Sequence, residues 1–263
     1  MNKVVVITGG SSGIGRETAS YFCKNGYKVY ELSRREIVLD GVTHITADVT
    51  DATSICAAID SIISKEGKID VLVANAGMGI SGAVESTTPT EVKKIFSVNV
   101  FGVVNTINAV IPYMRKNGGG KIICTSSVAG VVSIPFQTFY SMTKSSVNSL
   151  VLGLRNELKP FNIKVAAVMP GDVKTGFTDA REKSITNLSE YNGRVERSVQ
   201  QMEKDEQSGM PPILIAKKIY SLANKKSPKP LSTVGIGYKL ICMLIKLLPS
   251  SLSNKIVGII YAK

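Results

Sequence analysis

The sequence predicts a doubly wound α/β fold: one domain built on a mostly parallel sheet, with helices on both faces and a helical C-terminal extension. Three observations predict it. Short runs of β-branched and apolar residues alternate with stretches of helical spacing, the pattern of a parallel sheet wrapped by crossover helices. A glycine-rich turn, Gly9 to Gly15, joins the first such run to the first helical stretch. A length of 263 residues, 44% hydrophobic and 20% charged, suits one domain with a sizeable core.

Val4 to Thr8 is read as a buried parallel strand. Gly9-Gly10-Ser11-Ser12-Gly13-Ile14-Gly15 follows, and a helical pattern runs from Arg16 to Asn25. Glycines let backbone turn sharply and approach a pyrophosphate. The helix start then offers unpaired N–H groups and a positive dipole end. This is the pattern expected of the dinucleotide crossover of a Rossmann-type sheet, with a plain glycine-rich turn as the alternative. Tyr27 to Leu32 is the second strand and ends in Ser33-Arg34-Arg35. Near this point an acidic residue selects NAD, whereas arginine accommodates the extra phosphate of NADP. Glu31 falls early and Glu36 late, so NADP(H) is favoured over NAD(H). The plainer alternative is that both arginines are solvated loop charges.

His44 to Ala47 reads as a third strand and leads to Asp48-Val49; a helix follows from about Ala52 to Glu66. Val71 to Val73 is a buried strand that ends in Asn75-Ala76-Gly77. Glycines at 77, 79 and 82 suggest backbone running close to a cofactor. Thr90 to Arg115 reads as one long helix with Asn99 inside it, an unfavourable mid-helix residue that needs a reason. Gly118 to Gly120 end that helix, and strand Lys121–Thr125 delivers Ser126-Ser127. Val147, Leu150, Val151, Leu154 and Leu158 have helical spacing; extended backwards, that helix puts Tyr140 and Lys144 on one face, one turn apart. Val165 to Met169 is a further strand, followed by Pro170-Gly171-Asp172-Val173-Lys174-Thr175. From Phe177 to about Pro212 the chain turns polar and loses clear periodicity. The expected division is a catalytic body over 1–230 and a basic, apolar helical extension over 231–263, with segments Gly235–Leu248 and Leu252–Tyr261.

Charge is uneven along the chain. The net charge is +12, yet no Asp or Glu follows Glu206, and the last 57 residues carry nine lysines. Nothing else in the pattern asks for a nucleic-acid partner. Lys239 and Lys246 are seven apart and share one polar stripe on an otherwise apolar helix. Such a helix lies on a membrane surface, covers an apolar pocket, or packs against the body or a second subunit. Met1-Asn2-Lys3 leads straight into a strand, so no signal peptide is expected, and no apolar run reaches about 18 residues. Cys23, Cys56, Cys124 and Cys242 are scattered without a Cys-x-x-Cys, which favours a reducing compartment and no metal site. A cytoplasmic location, peripheral to a membrane if the tail binds one, is the corresponding expectation. The lone His44 is read as structural.

A phenol beside an ammonium ionises more readily, so Lys144 is expected to lower the pKa of Tyr140 and fit it for acid–base work on a ketone or alcohol. Ser127 lies thirteen residues before Tyr140. With the glycine turn, Asn75-Ala76-Gly77 and Pro170-Gly171-x-Val173-x-Thr175, the first 180 residues or so resemble the short-chain dehydrogenase/reductase family. That resemblance implies a catalytic set of Asn99, Ser127, Tyr140 and Lys144. Tyr140 moves the proton, Lys144 also holds the nicotinamide ribose, Ser127 hydrogen-bonds the substrate oxygen and Asn99 positions a relay water. Ser126 is the rival for the serine role.

The same resemblance implies cofactor contacts from Gly9, Ser11, Ser12, Gly13, Ile14, Gly15, Ser33, Arg34, Arg35, Asp48, Val49, Asn75, Ala76, Gly77, Tyr140, Lys144, Pro170, Gly171, Val173 and Thr175. It makes 177–212 a substrate-covering segment, and makes a dimer or tetramer through the two long helices the expected assembly. The tail lacks a Val-Asp-Gly-Gly finish and is more like that of the hydroxysteroid and lipid-ketone branch. The expected function is NADP(H)-dependent interconversion of a secondary alcohol and a ketone on a bulky steroid or lipid-like substrate. Two alternatives stand beside it: a carrier-bound 3-oxoacyl reductase, and a non-catalytic dinucleotide-sensing regulator.

Overall fold

The computed structural model describes residues 2–184 and 189–262. Strand β1 (Val4–Thr8) is buried along its whole length and feeds helix α1 (Gly13–Lys24). Strands β2 (Lys28–Ser33) and β3 (Val42–Thr46) follow, then helix α2 (Ala52–Glu66) and strand β4 (Val71–Ala74). Asp51 caps α2 by accepting from the amides of Thr53 and Ser54, two donors that no helical carbonyl satisfies. A short strand β5 (Ile80–Gly82) precedes helix α3 (Pro89–Phe96). Thr88 and Glu91 form a reciprocal capping box at its start, with Pro89 in the first turn.

The expected long helix is not one regular α-helix. A π-helical turn at Ser97–Phe101, with Asn99 at its centre, separates α3 from α4 (Gly102–Lys116). The amide of Gly102 donates to Ser97 O, five residues back, which inserts one residue into the helix. Pro89–Lys116 is long enough to cross a membrane, and an 18-residue window of it, with a mean hydropathy of 1.6, is apolar enough by composition. No single apolar run had suggested that; here the helix packs on α2, β4 and β6 (Gly120–Thr125) as part of the core.

Helix α5 (Thr138–Glu157) and strand β7 (Ile163–Met169) complete the central crossover. Strand β8 (Glu182–Ser184) pairs with β5 in a small second sheet. Helix α6 (Arg194–Gln207) then lies inside the stretch expected to lack periodicity; Val195, Ser198, Val199 and Met202 form its narrow buried stripe. The rest of that helix is so polar that four positions did not stand out. Part of the expected substrate-covering stretch, 185–188, lies outside the described residues. Helix α7 (Pro212–Asn224) leads to β9 (Leu231–Thr233), a strand of the main sheet, so the helical extension begins at α8 (Ile236–Leu247) and continues in α9 (Ser250–Tyr261).

The main sheet is parallel throughout, in the order β3-β2-β1-β4-β6-β7-β9. Helices α1 and α7 cover one face around Ile7, Phe22, Ile123 and Ile215. Helices α2, α4 and α5 cover the other around Leu72, Ile107, Ile122 and Val151. Each of these fully buried side chains contributes about 1.5–3 kcal/mol. The strand order reverses between β1 and β4, which opens a crevice beyond the carboxyl ends of those strands.

The extension docks by a narrow side. Cys242 and Val257 pack on Val128 and Val132, next to the turn that carries Ser127. Much of its apolar surface faces outward: Ile236 is 78% and Leu247 74% exposed.

Candidate active site

The crevice is built by glycines and one asparagine. Gly9 adopts a positive φ of +68°, and a Cβ there would meet Ala76 Cα at 2.8 Å. A Cβ on Gly15 would stand 2.2 Å from Gly9 O and 2.6 Å from Asn75 Nδ2. The turn therefore closes tightly over the end of β4 and brings the start of α1, with its free amides, to the crevice. Asn75 Nδ2 donates to the carbonyls of Thr8 and Gly9, both at 3.2 Å, and its Oδ1 accepts from Thr125 Oγ1 at 3.1 Å. The amides of Asn75 and Ala76 donate to Thr8 Oγ1. Three strand ends are thus tied into one rim. Ser12 occupies the N-cap of α1, and Ile14 packs toward the core while its carbonyl accepts from Thr18 Oγ1. A Cβ on Gly13 would stand 3.4 Å from Thr175 Cβ, so Thr175 borders the glycine turn. This turn, too tightly packed for a β-carbon at Gly9 or Gly15, presents the α1 amides in a form that fits a pyrophosphate.

At the end of β2, Ser33 Oγ donates to the carbonyl of Arg35, and Arg35 Nη2 reaches Ser11 Oγ at 3.4 Å. Arg34 is exposed. Glu31, fully buried, accepts from His44 Nδ1 at 2.6 Å, while His44 Nε2 meets Thr46 Oγ1. The acid nearest the rim is thereby turned inward, which leaves the end of β2 basic. Asp48 accepts from the amide and hydroxyl of Thr50, and Val49 packs on Gly102, with its carbonyl accepting from Asn105. A Cβ on Gly79 would meet Phe177, and one on Gly82 would meet Ser184, so both allow the 177–184 segment to lie close.

Helix α5 and the end of β6 bring Tyr140, Lys144 and Ser127 together. Lys144 is 5% exposed; its Nζ donates to Thr125 O at 3.0 Å and lies 5.5 Å from the Tyr140 ring centroid. Ser127 Oγ accepts from the Ala129 amide and hydrogen-bonds with the Tyr140 phenol. Ser126 is turned away, its hydroxyl donating to Lys144 O at 3.1 Å. Asn99, fully buried, accepts from Met78 N at 2.8 Å and donates from Nδ2 to Met78 O at 2.9 Å and Thr143 Oγ1 at 3.1 Å. That clamp holds Gly77 where a Cβ would stand 3.4 Å from Asn99 Oδ1 and 3.6 Å from Lys144 Nζ.

The electrostatics correct one expectation. Lys144 does not pull the Tyr140 pKa down. Burial pushes the phenol up to about 12 and the lysine down to about 8, because a densely packed site disfavours either charge. The Ser127 hydrogen bond acts against burial on Tyr140 without overcoming it.

The loop after β7 is held from two sides. Val128 N donates to Pro170 O, and Val173 forms a bridge with Met210. The Tyr238 ring of α8 fills the space beside Gly171, and its hydroxyl donates to Asp172 Oδ2 at 2.5 Å. Sequence reasoning missed this contact, and also missed Phe177, Arg181 and Glu206 beside Tyr140. Only the lack of any acid after Glu206 hinted at the last of these.

A family model described as short chain dehydrogenase matches residues 3–186. The chain is 43% identical over 241 residues to a 3-ketodihydrosphingosine reductase of Bacteroides thetaiotaomicron, covering 89% of this chain and 88% of that protein. It is 34% identical over 202 residues to the NADPH-dependent 1-acyldihydroxyacetone phosphate reductase of Saccharomyces cerevisiae, covering 72% and 68%. Among solved structures, a short-chain dehydrogenase from Streptomyces avermitilis superposes with a TM-score of 0.86 at 30% identity, covering 97% and 96%. A nicotinamide-dinucleotide cradle, a tyrosine–lysine–serine cluster at its edge and these relatives lead to one assignment: the chain belongs to the short-chain dehydrogenase/reductase family, an oxidoreductase acting on alcohol and ketone groups.

Proposed function

We propose that this chain is an NADP(H)-dependent reductase of a ketone carried on a long-chain lipid, working at a membrane surface. The observation that carries the chemistry is the meeting of Tyr140, Ser127 and Lys144 at the crevice edge. A nicotinamide held by the Gly9–Gly15 turn and Lys144 would supply the hydride for the carbonyl carbon. Ser127 and Tyr140 hydroxyls hold the ketone oxygen, and Tyr140 gives that oxygen its proton. Burial holds the Tyr140 phenol protonated at neutral pH, so it has a proton to give to the ketone oxygen. Lys144 donates to Thr125 O and keeps two further N–H donors for the nicotinamide ribose. Asn99 clamps Met78, and its turn holds the relay water through which Tyr140 is reprotonated, the role implied by the family resemblance.

Arg34 is the proposed partner of the NADP phosphate; the inward-facing Glu31 and the relative named as NADPH-dependent support this. The lipid reading rests on the two reductases of lipid ketones and on the outward apolar surface of α8 and α9. Lysines 239, 246 and 255 accompany that surface, and a lysine near an anionic leaflet adds about 1 kcal/mol. We place the protein at the cytoplasmic face of a membrane. Its assembly is proposed to use the α3–α5 side, where Val92, Phe96, Phe101 and Met142 border an apolar groove of about 310 Å³.

The test is NADPH consumption by the purified chain with long-chain ketones presented in anionic vesicles. Turnover of long-chain ketones with a preference for NADPH over NADH is expected. Absence of turnover with every such ketone would overturn the reading.

A further inference from the structure

The loop after β7 links the two ends of the site. Pro170 O accepts from Val128 N, next to Ser127, and further along the loop Thr175 borders the glycine turn at Gly13. The group that passes hydride must lie between a pyrophosphate at that turn and a ketone at Tyr140, so this loop borders it. Backbone braces one side of the loop. Met210 N donates to Asp172 O, Lys174 N donates to Met210 O, and a Cβ on Gly209 would stand 2.5 Å from the Asp172 carbonyl carbon. A side chain of the C-terminal extension braces the other side. A Cβ on Gly171 would meet the Tyr238 ring at 2.4 Å, and the Tyr238 hydroxyl donates to Asp172 Oδ2 at 2.5 Å.

The sheet sets this contact. Strand β9 pairs with β7 as far as Thr233 opposite Met169, and Val234 N donates to Met169 O. Gly235 follows at a φ of +90°, and a Cβ there would stand 2.9 Å from Tyr238 Cδ2. Only a glycine therefore lets α8 start close enough for the ring to reach the loop. Strand β7 runs into the loop and β9 into α8, so both partners of the tether leave neighbouring strand ends. One helical turn beyond Tyr238, Cys242 packs on Val128 and Val132. The inner side of α8 thus bears on the turn that carries Ser127 as well as on the loop. Ile236, Leu240 and Leu244 are exposed on its other side. Contact with a membrane needs those outer residues alone; the hydroxyl bonded to Asp172 serves the loop.

We propose that Tyr238 is a positioning residue for the nicotinamide: through Gly171 and Asp172 it holds the 170–175 loop in the form that receives the reacting end of the cofactor. The C-terminal extension is then a working part of the cofactor site. Tyr238 touches neither the cofactor nor the ketone and acts through the loop. A loop held in its bound form beforehand spares binding the cost of ordering it. The proposal rests on the reading of the Gly9–Gly15 turn as a dinucleotide site and adds a residue that acts on the far end of that ligand.

The test uses the full chain and Tyr238→Phe, which keeps the ring beside Gly171 and removes the hydroxyl. Two ligands are titrated: NADPH, and adenosine 2′,5′-bisphosphate, which has the adenine end and no nicotinamide. The Kd for NADPH should rise about tenfold, while that for the bisphosphate should stay within about twofold of wild type. At saturation the fluorescence anisotropy of the bound nicotinamide should fall, because its end of the site is looser. A merely structural role would weaken both ligands alike. Asp172→Ala removes the acceptor from the loop side and should give the same selective loss, which carries the test if Tyr238→Phe fails to fold. The double variant should lose no more than either single one, since both break one contact. Unchanged NADPH affinity, parallel weakening of both ligands, or additive losses would overturn this inference alone. A wild type that binds neither ligand would overturn the dinucleotide reading, and this inference with it.

Discussion

Asn99→Ala tests how the site is held. The Asn99 side chain makes three hydrogen bonds, to Met78 N, Met78 O and Thr143 Oγ1, at 2.8, 2.9 and 3.1 Å, in a fully buried position. A typical hydrogen bond contributes about 1 kcal/mol net, and a buried group left unpaired costs about 1–3 kcal/mol. Removing the amide breaks three bonds and strands both backbone groups of Met78, so a loss of about 3–4 kcal/mol follows. That is a large part of the usual stability of about 5–15 kcal/mol, yet it leaves the fold populated. With a urea slope near 3 kcal/mol per molar, the unfolding midpoint should fall by about 1 M. The same variant should lose turnover, because the clamp is what keeps Gly77 against Lys144. A urea melt alongside an NADPH assay reads both. A midpoint within about 0.3 M of wild type would refute the reasoning, since no arrangement of unpaired Met78 groups is that cheap.

Three further outcomes are expected. Lys144 has its folded pKa lowered to about 8 from 10.5, so at pH values below 8 its buried charge opposes folding; between 8 and 10.5 the unfolded chain binds the extra proton, and stability rises with pH. Between pH 7.5 and 9.5 wild type should therefore gain about 2 kcal/mol relative to Lys144→Met in urea unfolding, and parallel pH profiles of the two would contradict this. Arg34→Asp should weaken NADPH more than NADH in fluorescence titrations, by tenfold or more if a charge-assisted phosphate contact worth about 1.5–3 kcal/mol is lost; a wild type that already prefers NADH contradicts the arginine assignment. Leu247→Glu, at a position 74% exposed, should leave the melting temperature nearly unchanged but reduce flotation with anionic vesicles; unchanged flotation would remove α8 from the membrane contact.

Much of this architecture is legible in the residues because it is local. Val4 to Gly15 spells strand, turn and helix start within twelve residues, and the structure closes that turn on Asn75. Tyr140 and Lys144 share a helix face because they are four apart. What stayed hidden depends on tertiary neighbours. Whether Lys144 acidifies Tyr140 is decided by the burial of both, which spacing does not report. The π-turn around Asn99 is one inserted residue in an unbroken apolar pattern. Strand β9 is three residues long after Pro228-Lys229-Pro230, too short for a periodicity. Arg181 and Glu206 lie 25 residues apart in a polar stretch, and only the packing of 177–184 against helix α6 makes them a pair.

The most direct test of the central claim is Tyr140→Phe. The ring still packs against Phe177, so NADPH affinity should stay within a few-fold of wild type. The phenolic proton is gone, and ketone reduction should fall by about 10²–10⁴-fold, the usual worth of a positioned acid. A variant that binds NADPH normally and has lost turnover is the predicted result. A variant that keeps more than about a tenth of the wild-type rate would contradict the assignment of Tyr140 as the proton donor.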